Sequence, residues 1–223
     1  MKTALLLMAF VASTASCHSK QSEHPINHNK MQQTEILVAV NNADLPAVKA
    51  ALAKGANVNA KDENGRSLLL IATNNEQRDL AELLVKHGAD VNLQAPNLDS
   101  PFLYAGATGQ TELVLLYLAN GAKFDVFNRY NGTALIPACE RGHVETVRVL
   151  ANTKNFPIDH VNRLGWTALM EAVILGDGSG KYQQIVRILK EAGSKLDIPD
   201  KEGRTPLQHA EVRGFDHIAN LLR

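Results

Sequence analysis

Between Thr34 and Arg223 short apolar runs alternate with glycine-punctuated polar turns, and the alternation is periodic. The last unit is the clearest: D-K-E-G-R-T-P-L-Q-H-A-E-V-R-G-F-D-H-I-A-N-L-L, Asp200 to Leu222. Gly203 suits a tight turn, Thr205 suits an N-cap that accepts a first-turn N–H, and Pro206 suits the first helical position, where its missing N–H costs nothing. Two helices follow, parted at Gly214. Each is too short to bury its apolar face alone, so such a unit becomes stable only by stacking on copies of itself.

The copies are present. The alanine of each first helix recurs at Ala39, Ala72, Ala105, Ala138, Ala172 and Ala210, with spacings of 33, 33, 33, 34 and 38 residues. Its flanks recur with it as G-R-S-L-L-L-I-A, L-D-S-P-F-L-Y-A, G-T-A-L-I-P-A, G-W-T-A-L-M-E-A and G-R-T-P-L-Q-H-A. At the far end of each unit K-G-A-N-V-N, H-G-A-D-V-N, N-G-A-K-F-D and A-G-S-K-L-D fall in step. Gly55, Gly88, Gly121 and Gly193 stand where a left-handed residue closes a helix. Leu80, Leu83, Leu84 and Leu113, Leu116, Tyr117 carry the spacing of helix faces that stack on neighbours. This pattern resembles the ankyrin repeat family over about residues 33–223. The resemblance implies an all-α ankyrin-repeat solenoid of about six helix-turn-helix repeats with β-turn fingers, with residues 34–223 as the repeat domain and a continuous core that has no single centre.

Departures from the family pattern carry their own expectations. The histidine that usually follows the T-P-L triplet is replaced by Leu70, Leu103, Ile136, Met170 and Gln208, with Leu37 at the matching place in the first copy, so greasier packing substitutes for its hydrogen bonds. Leu98 stands where the turn glycine belongs, so the third loop is expected to differ locally. Asn131, which tolerates the left-handed region, takes that place in the fourth copy. Pro137 lies within the first turns of an inner helix and is expected to bend it. Insertions lengthen Asn152 to Pro157 and the connection G-D-G-S-G-K-Y, Gly176 to Tyr182. The latter fails as a phosphate loop: its spacing is one residue short, Tyr182 replaces the magnesium-binding hydroxyl residue, and a helix precedes it. It is expected to be a plain flexible loop.

The N-terminal segment reads differently. Met1 to Ser16, with Lys2, an apolar run from Ala4 to Ala12 and small residues after it, has the form of a bacterial secretory signal peptide and is too short to span a bilayer. Cys17 after Thr14-Ala15-Ser16 resembles a lipobox, although Thr14 stands where an aliphatic residue is usual. Lipidation of Cys17 would anchor the protein, with His18 in place of Asp indicating the outer membrane. Cleavage after Ala15 would instead release a soluble periplasmic protein. Residues 17–33 are polar apart from Ile26 and Met31 and read as a lipid-anchored or free tether.

Charge and side-chain chemistry narrow the function. Lys plus Arg and Asp plus Glu number 23 each, so nothing drives nonspecific binding to nucleic acid. Contact with a membrane is expected only through Cys17, and a monomer is expected. Cys139 follows Ala138 at a position the family fills with small buried residues and reads as an inert thiol. His18, His24, His28, His143, His160, His209 and His217 have no metal spacing. No catalytic constellation, metal site or cofactor is expected.

A binding surface remains. In ankyrin repeats, partners are usually met by the turn fingers and the exposed side of the inner helices. Carried over by position, the fingers present Phe127, Arg129 and Tyr130 in one copy and Arg163, Leu164 and Trp166 in the next, where the second-repeat finger has polar Lys61, Glu63, Asn64 and Arg66. The inner helices add Glu140, Arg141, Ile174 and Leu175. Trp, Tyr and Arg dominate interface hot spots, so another protein is the expected partner. The leading expectation is an inhibitor or immunity-type module that occludes a toxin or enzyme in the periplasm. The alternatives are a scaffold for a resident periplasmic enzyme, for example in oxidant defence, and a hydrolase using the Gly176 to Tyr182 loop.

Overall fold

The computed structural model describes residues 25–223, with side chains from Met31 onward. The stretches read as a signal peptide and lipidation site, Met1–Ser16 and Cys17, lie outside the described residues, as do His18 and His24. Twelve helices follow in order: α1 Pro25–Asn41, α2 Leu45–Ala53, α3 Leu68–Asn74, α4 Arg78–Lys86, α5 Pro101–Thr108, α6 Thr111–Ala119, α7 Leu135–Arg141, α8 Val144–Ala151, α9 Ala168–Ile174, α10 Gly180–Glu191, α11 Pro206–Val212 and α12 Asp216–Leu222. Among the described residues extended pairing is confined to one isolated bridge, Lys61 to Ser67.

The packing is that of a solenoid. Odd-numbered helices pack on odd-numbered neighbours and even on even, giving an inner row and an outer row whose members pair within each repeat. One apolar core runs the length of the stack, from Ile36 and Val40 through Leu84, Leu135 and Leu189 to Ile218 and Leu222. Leu70, Leu103, Ile136 and Met170, which replace the family histidine, are all buried, so packing does take over there. In the last repeat the substitute does something else. The Gln208 side chain accepts the Thr205 N–H at 2.9 Å while Thr205 Oγ1 accepts from Gln208 N, completing a capping box.

Polar side chains tie repeat to repeat where backbone would otherwise go unpaired. Asn59, Asn92 and Asp159 accept the backbone N–H of Asp90, Lys123 and Lys195 in the following unit, at 2.8, 2.8 and 3.0 Å. Across the helix rows the buried Tyr117 hydroxyl meets Thr73 Oγ1 at 2.7 Å. Phe102, Phe124 and Phe156 form a ladder with ring centroids 6.4 and 4.9 Å apart. In the sixth repeat Glu211, Arg213 and Asp216 are exposed.

Four inner helices start alike. Ser67, Ser100, Thr167 and Thr205 accept the N–H three residues on. α7 is the exception, and Pro137 is the reason. The proline has no N–H for the Thr133 carbonyl, and its ring crowds that carbonyl. α7 therefore begins one residue late, after Ala134, and Thr133 Oγ1 is buried without a partner. The proline acts on the helix start, where a bend had been expected.

Two other expectations need correction, and a third holds in a narrower form. The first inner helix begins at Pro25, not Thr34, so its first turns occupy residues assigned to the tether. The third loop keeps the backbone turn of its siblings but is held differently, because Ala95 stands where Asp62, Asn128, Asn162 and Asp200 accept turn N–H groups. Leu98 adopts φ 64° and its N–H reaches Ala95 O at 2.9 Å, as Gly65 N–H reaches Asp62 O. The turn geometry overrides a side chain that disfavours it. The Gly176 to Tyr182 connection is packed. Tyr182 is buried and donates its hydroxyl to Glu140 O at 2.7 Å, while Arg213 donates to Gly176 O at 2.8 Å. The inserted residues thus span repeats four to six, and they lengthen α10 to 12 residues against the nine of α4 and α6.

Candidate protein-binding surface

Four of the fingers are organised by one side chain each, and the third, with Ala95 at that place, is held by the Gln94 and Asn97 side chains. Asp62, Asn128, Asn162 and Asp200 each accept two backbone N–H groups of their own turn; for Asn128 these are Tyr130 and Gly132, and for Asn162 Leu164 and Trp166. Neighbouring fingers are also cross-tied. Arg163 N–H donates to Tyr130 O at 2.8 Å, Gln94 Nε2 to Phe127 O at 2.8 Å, and Lys201 Nζ to Arg163 O at 2.6 Å. Whatever the fingers display is therefore held in a fixed array, which lowers the entropy lost on binding.

The ten residues expected to form the surface divide into two groups. Tyr130, Leu164 and Leu175 are 51, 45 and 47 % exposed, large apolar or aromatic side chains with no core role. Arg129, Arg141 and Arg163 are also exposed. Phe127, Glu140, Trp166 and Ile174 are half-buried. Phe127 stacks on His160 with centroids 4.4 Å apart, and His160 Nε2 donates to Asn131 O at 2.6 Å. Phe127 thus serves the packing between fingers.

Arg129, Tyr130, Glu140 and Arg141 also meet at one place, a cavity of about 180 Å³ between the fingers and the inner helices of repeats three to five. Phe127, Arg163, Leu164, Trp166, Ile174 and Leu175 lie outside its lining. Sequence reading missed the other wall residues, among them the polar Asp99, Tyr104, Asn162 and Glu171. Glu171 is the unusual one, a carboxyl on α9 that is only 5 % exposed. Asn162 Nδ2 donates to its Oε1 at 2.8 Å. Burial, then the neighbouring charge of Glu140, raise its pKa to about 7 against that hydrogen bond. A signal was available: the same inner-helix position carries Ile71, Tyr104, Pro137 and His209 in the other repeats. His209 makes the matching contact in the last repeat, 2.6 Å from Asp200.

The cavity's own cations have partners other than Glu171. Arg141 donates to Ala107 O at 2.7 Å, and the Arg129 guanidinium lies 5.1 Å from the centre of the Tyr130 ring. Nucleophilic chemistry finds no footing nearby. Cys139 is free and fully buried, and burial followed by the Glu171 charge pushes its thiol well above the usual range. Among the described residues no three His, Cys, Asp or Glu side chains group to hold a metal ion, and no helix is long and apolar enough to cross a membrane.

Comparison with known proteins follows the fold. The family model for ankyrin repeats (3 copies) matches residues 7–95 and 102–200. The ankyrin repeat protein YahD of Escherichia coli K12 is 35 % identical over 188 residues, 84 % of this chain and 94 % of that protein. The crystal structure of the ankyrin repeat domain ABAYE2397 from Acinetobacter baumannii is 47 % identical, with a TM-score of 0.82 over 84 % of this chain and 95 % of that one. The ankyrin repeat protein EF0377 is 40 % identical, also with a TM-score of 0.82, over 84 % of this chain and 96 % of its own. With its 33-residue period, its two rows of helices and these relatives, the chain belongs to the ankyrin repeat family.

Proposed function

We propose that this protein binds another protein across the concave side of repeats three to five and, by covering a functional surface of that partner, acts as an inhibitor or immunity-type module in the periplasm. Ankyrin repeats mediate protein–protein interaction, and this reading adds where the partner sits and what binding does. The observation that carries it is the fixed array of Tyr130, Leu164 and Leu175, exposed at 51, 45 and 47 % around the polar cavity. Tyr130 beside Arg129, Arg141 and Arg163 supplies the residue types that dominate hot spots, and Leu164 and Leu175 add apolar area around them. Export rests on Met1–Ser16 and anchoring on Cys17, by their resemblance to a signal peptide and a lipobox. The reading is non-catalytic: the partner is bound and occluded, and no bond is made.

Affinity capture from native periplasmic and membrane extract tests it, with the wild type beside a Tyr130→Ala, Leu164→Ala double variant. Both positions are exposed, so the variant keeps its fold, which a melting curve verifies. One protein held by the wild type and lost by the variant supports the surface. If that protein is a resident enzyme whose activity survives binding, the scaffold reading replaces inhibition. If the same proteins are retained by both forms, the surface lies elsewhere.

A further inference from the structure

The cavity beside Tyr130 has a chemistry that the docking surface around it does not require. Its volume, about 180 Å³, is below that of ordinary small-molecule pockets, roughly 300–1,000 Å³, and suits one side chain. Into it faces the carboxyl of Glu171, a residue 5 % exposed, with one oxygen held by Asn162 and no hydrogen bond to the other. Glu140 shares the wall, as do Tyr104 and Tyr130, aromatic side chains of a kind that attracts cations. Both wall arginines are committed, Arg141 to a carbonyl and Arg129 to the Tyr130 ring, and neither bonds Glu171. A buried carboxyl without a cation is costly in the free protein, and folding has left this one open to the concave face.

We infer that the cavity receives a cationic side chain of the bound partner, a lysine ammonium or an arginine guanidinium, which enters between the fingers and pairs with Glu171 and Glu140. This rests on the docking surface proposed above and names the group the partner must present. It also makes binding pH-dependent, since Glu171 attracts the cation when ionised and not when protonated. The groups around it set the direction. From α7 come Glu140, Arg141 and Cys139, from the fingers Asp99, Arg129 and Tyr130, and from α5 Tyr104. Tyr182 of α10 donates to the Glu140 carbonyl, and His209 of α11 is turned to Asp200. Of these, Glu140 acts on Glu171 and disfavours its ionisation, so affinity falls as pH drops through about 7.

The test is an NMR titration of the isotope-labelled protein with Nα-acetyl-lysine amide, Nα-acetyl-arginine amide, butylamine and uncharged Nα-acetyl-norleucine amide, at pH 8 and 5.5. Saturable shifts at Gly132, Ile136, Glu140 and Glu171 with either cationic amide at pH 8 are expected, weakened about tenfold at pH 5.5 and to a similar degree in Glu171→Gln. That variant keeps an acceptor for Asn162, and Glu140→Gln gives a smaller loss at a half-buried position. Absence of saturable shifts at pH 8 overturns the inference, as does equal binding of the norleucine amide. Preferential binding of butylamine over the acetyl-lysine amide overturns the partner's side chain as the source. The two proposals fail separately. A partner captured through Tyr130 and Leu164 by a protein that ignores the cationic amides removes the cation site alone. Specific amide binding without any surface-dependent partner removes the docking reading, and with it the assignment of the cation to a partner.

Discussion

Glu171 ionises near pH 7 in the fold and near 4.5 as an ordinary glutamate. Between those values the folded protein holds a proton that the unfolded chain has lost, so stability falls as pH rises through the window. Glu171→Gln removes this dependence. Urea unfolding of both forms should find them within about 1 kcal/mol at pH 5, with the variant gaining about 2 kcal/mol relative to wild type by pH 8. Parallel stability curves for the two forms would show that Glu171 ionises normally. Leu98 is the other residue whose conformation is set by its surroundings. Its φ of 64° is a turn glycine's, and hydrogen bonds of the loop hold it there.

At the scale of the helix, the starts of α7 and α9 offer a matched comparison. Thr167 Oγ1 accepts Met170 N–H at 3.1 Å, whereas Thr133 Oγ1 is buried without a partner. Thr167→Val should cost about 1 kcal/mol through loss of the cap. Thr133→Val keeps the shape and removes an unsatisfied hydroxyl, so it should be neutral or stabilising by about 1 kcal/mol. Thermal unfolding of the two variants checks this, and equal losses would contradict the account of α7. The helices themselves were legible in the sequence because their caps, closing glycines and apolar spacing are local signals that agree with one another. What Pro137 does to Thr133 was not, since it depends on the crowding of a carbonyl four residues back. Nor was the packed Gly176 to Tyr182 connection, whose contacts reach Glu140 and Arg213 in neighbouring repeats. The candidate surface was partly legible. Position within a finger identified Arg129 and Tyr130, but Asp99, Tyr104, Asn162 and Glu171 join them only because repeats three to five stack around one cavity.

Across the whole molecule, two rows of helices share a continuous core, and the fingers are cross-tied by Gln94, Arg163 and Lys201. Each repeat owes its stability to its neighbours, and the concave side is presented as one rigid surface. The convex side offers a contrast, since Leu115 on α6 is also exposed, at 51 %, but stands in the outer row. The most direct test of the account places a photo-crosslinking amino acid at Tyr130, at Leu164 and, separately, at Leu115, and irradiates intact cells. The account predicts one crosslinked protein shared by positions 130 and 164 and absent at 115. A crosslink confined to 115, or the same product from all three positions, would contradict binding by the concave face.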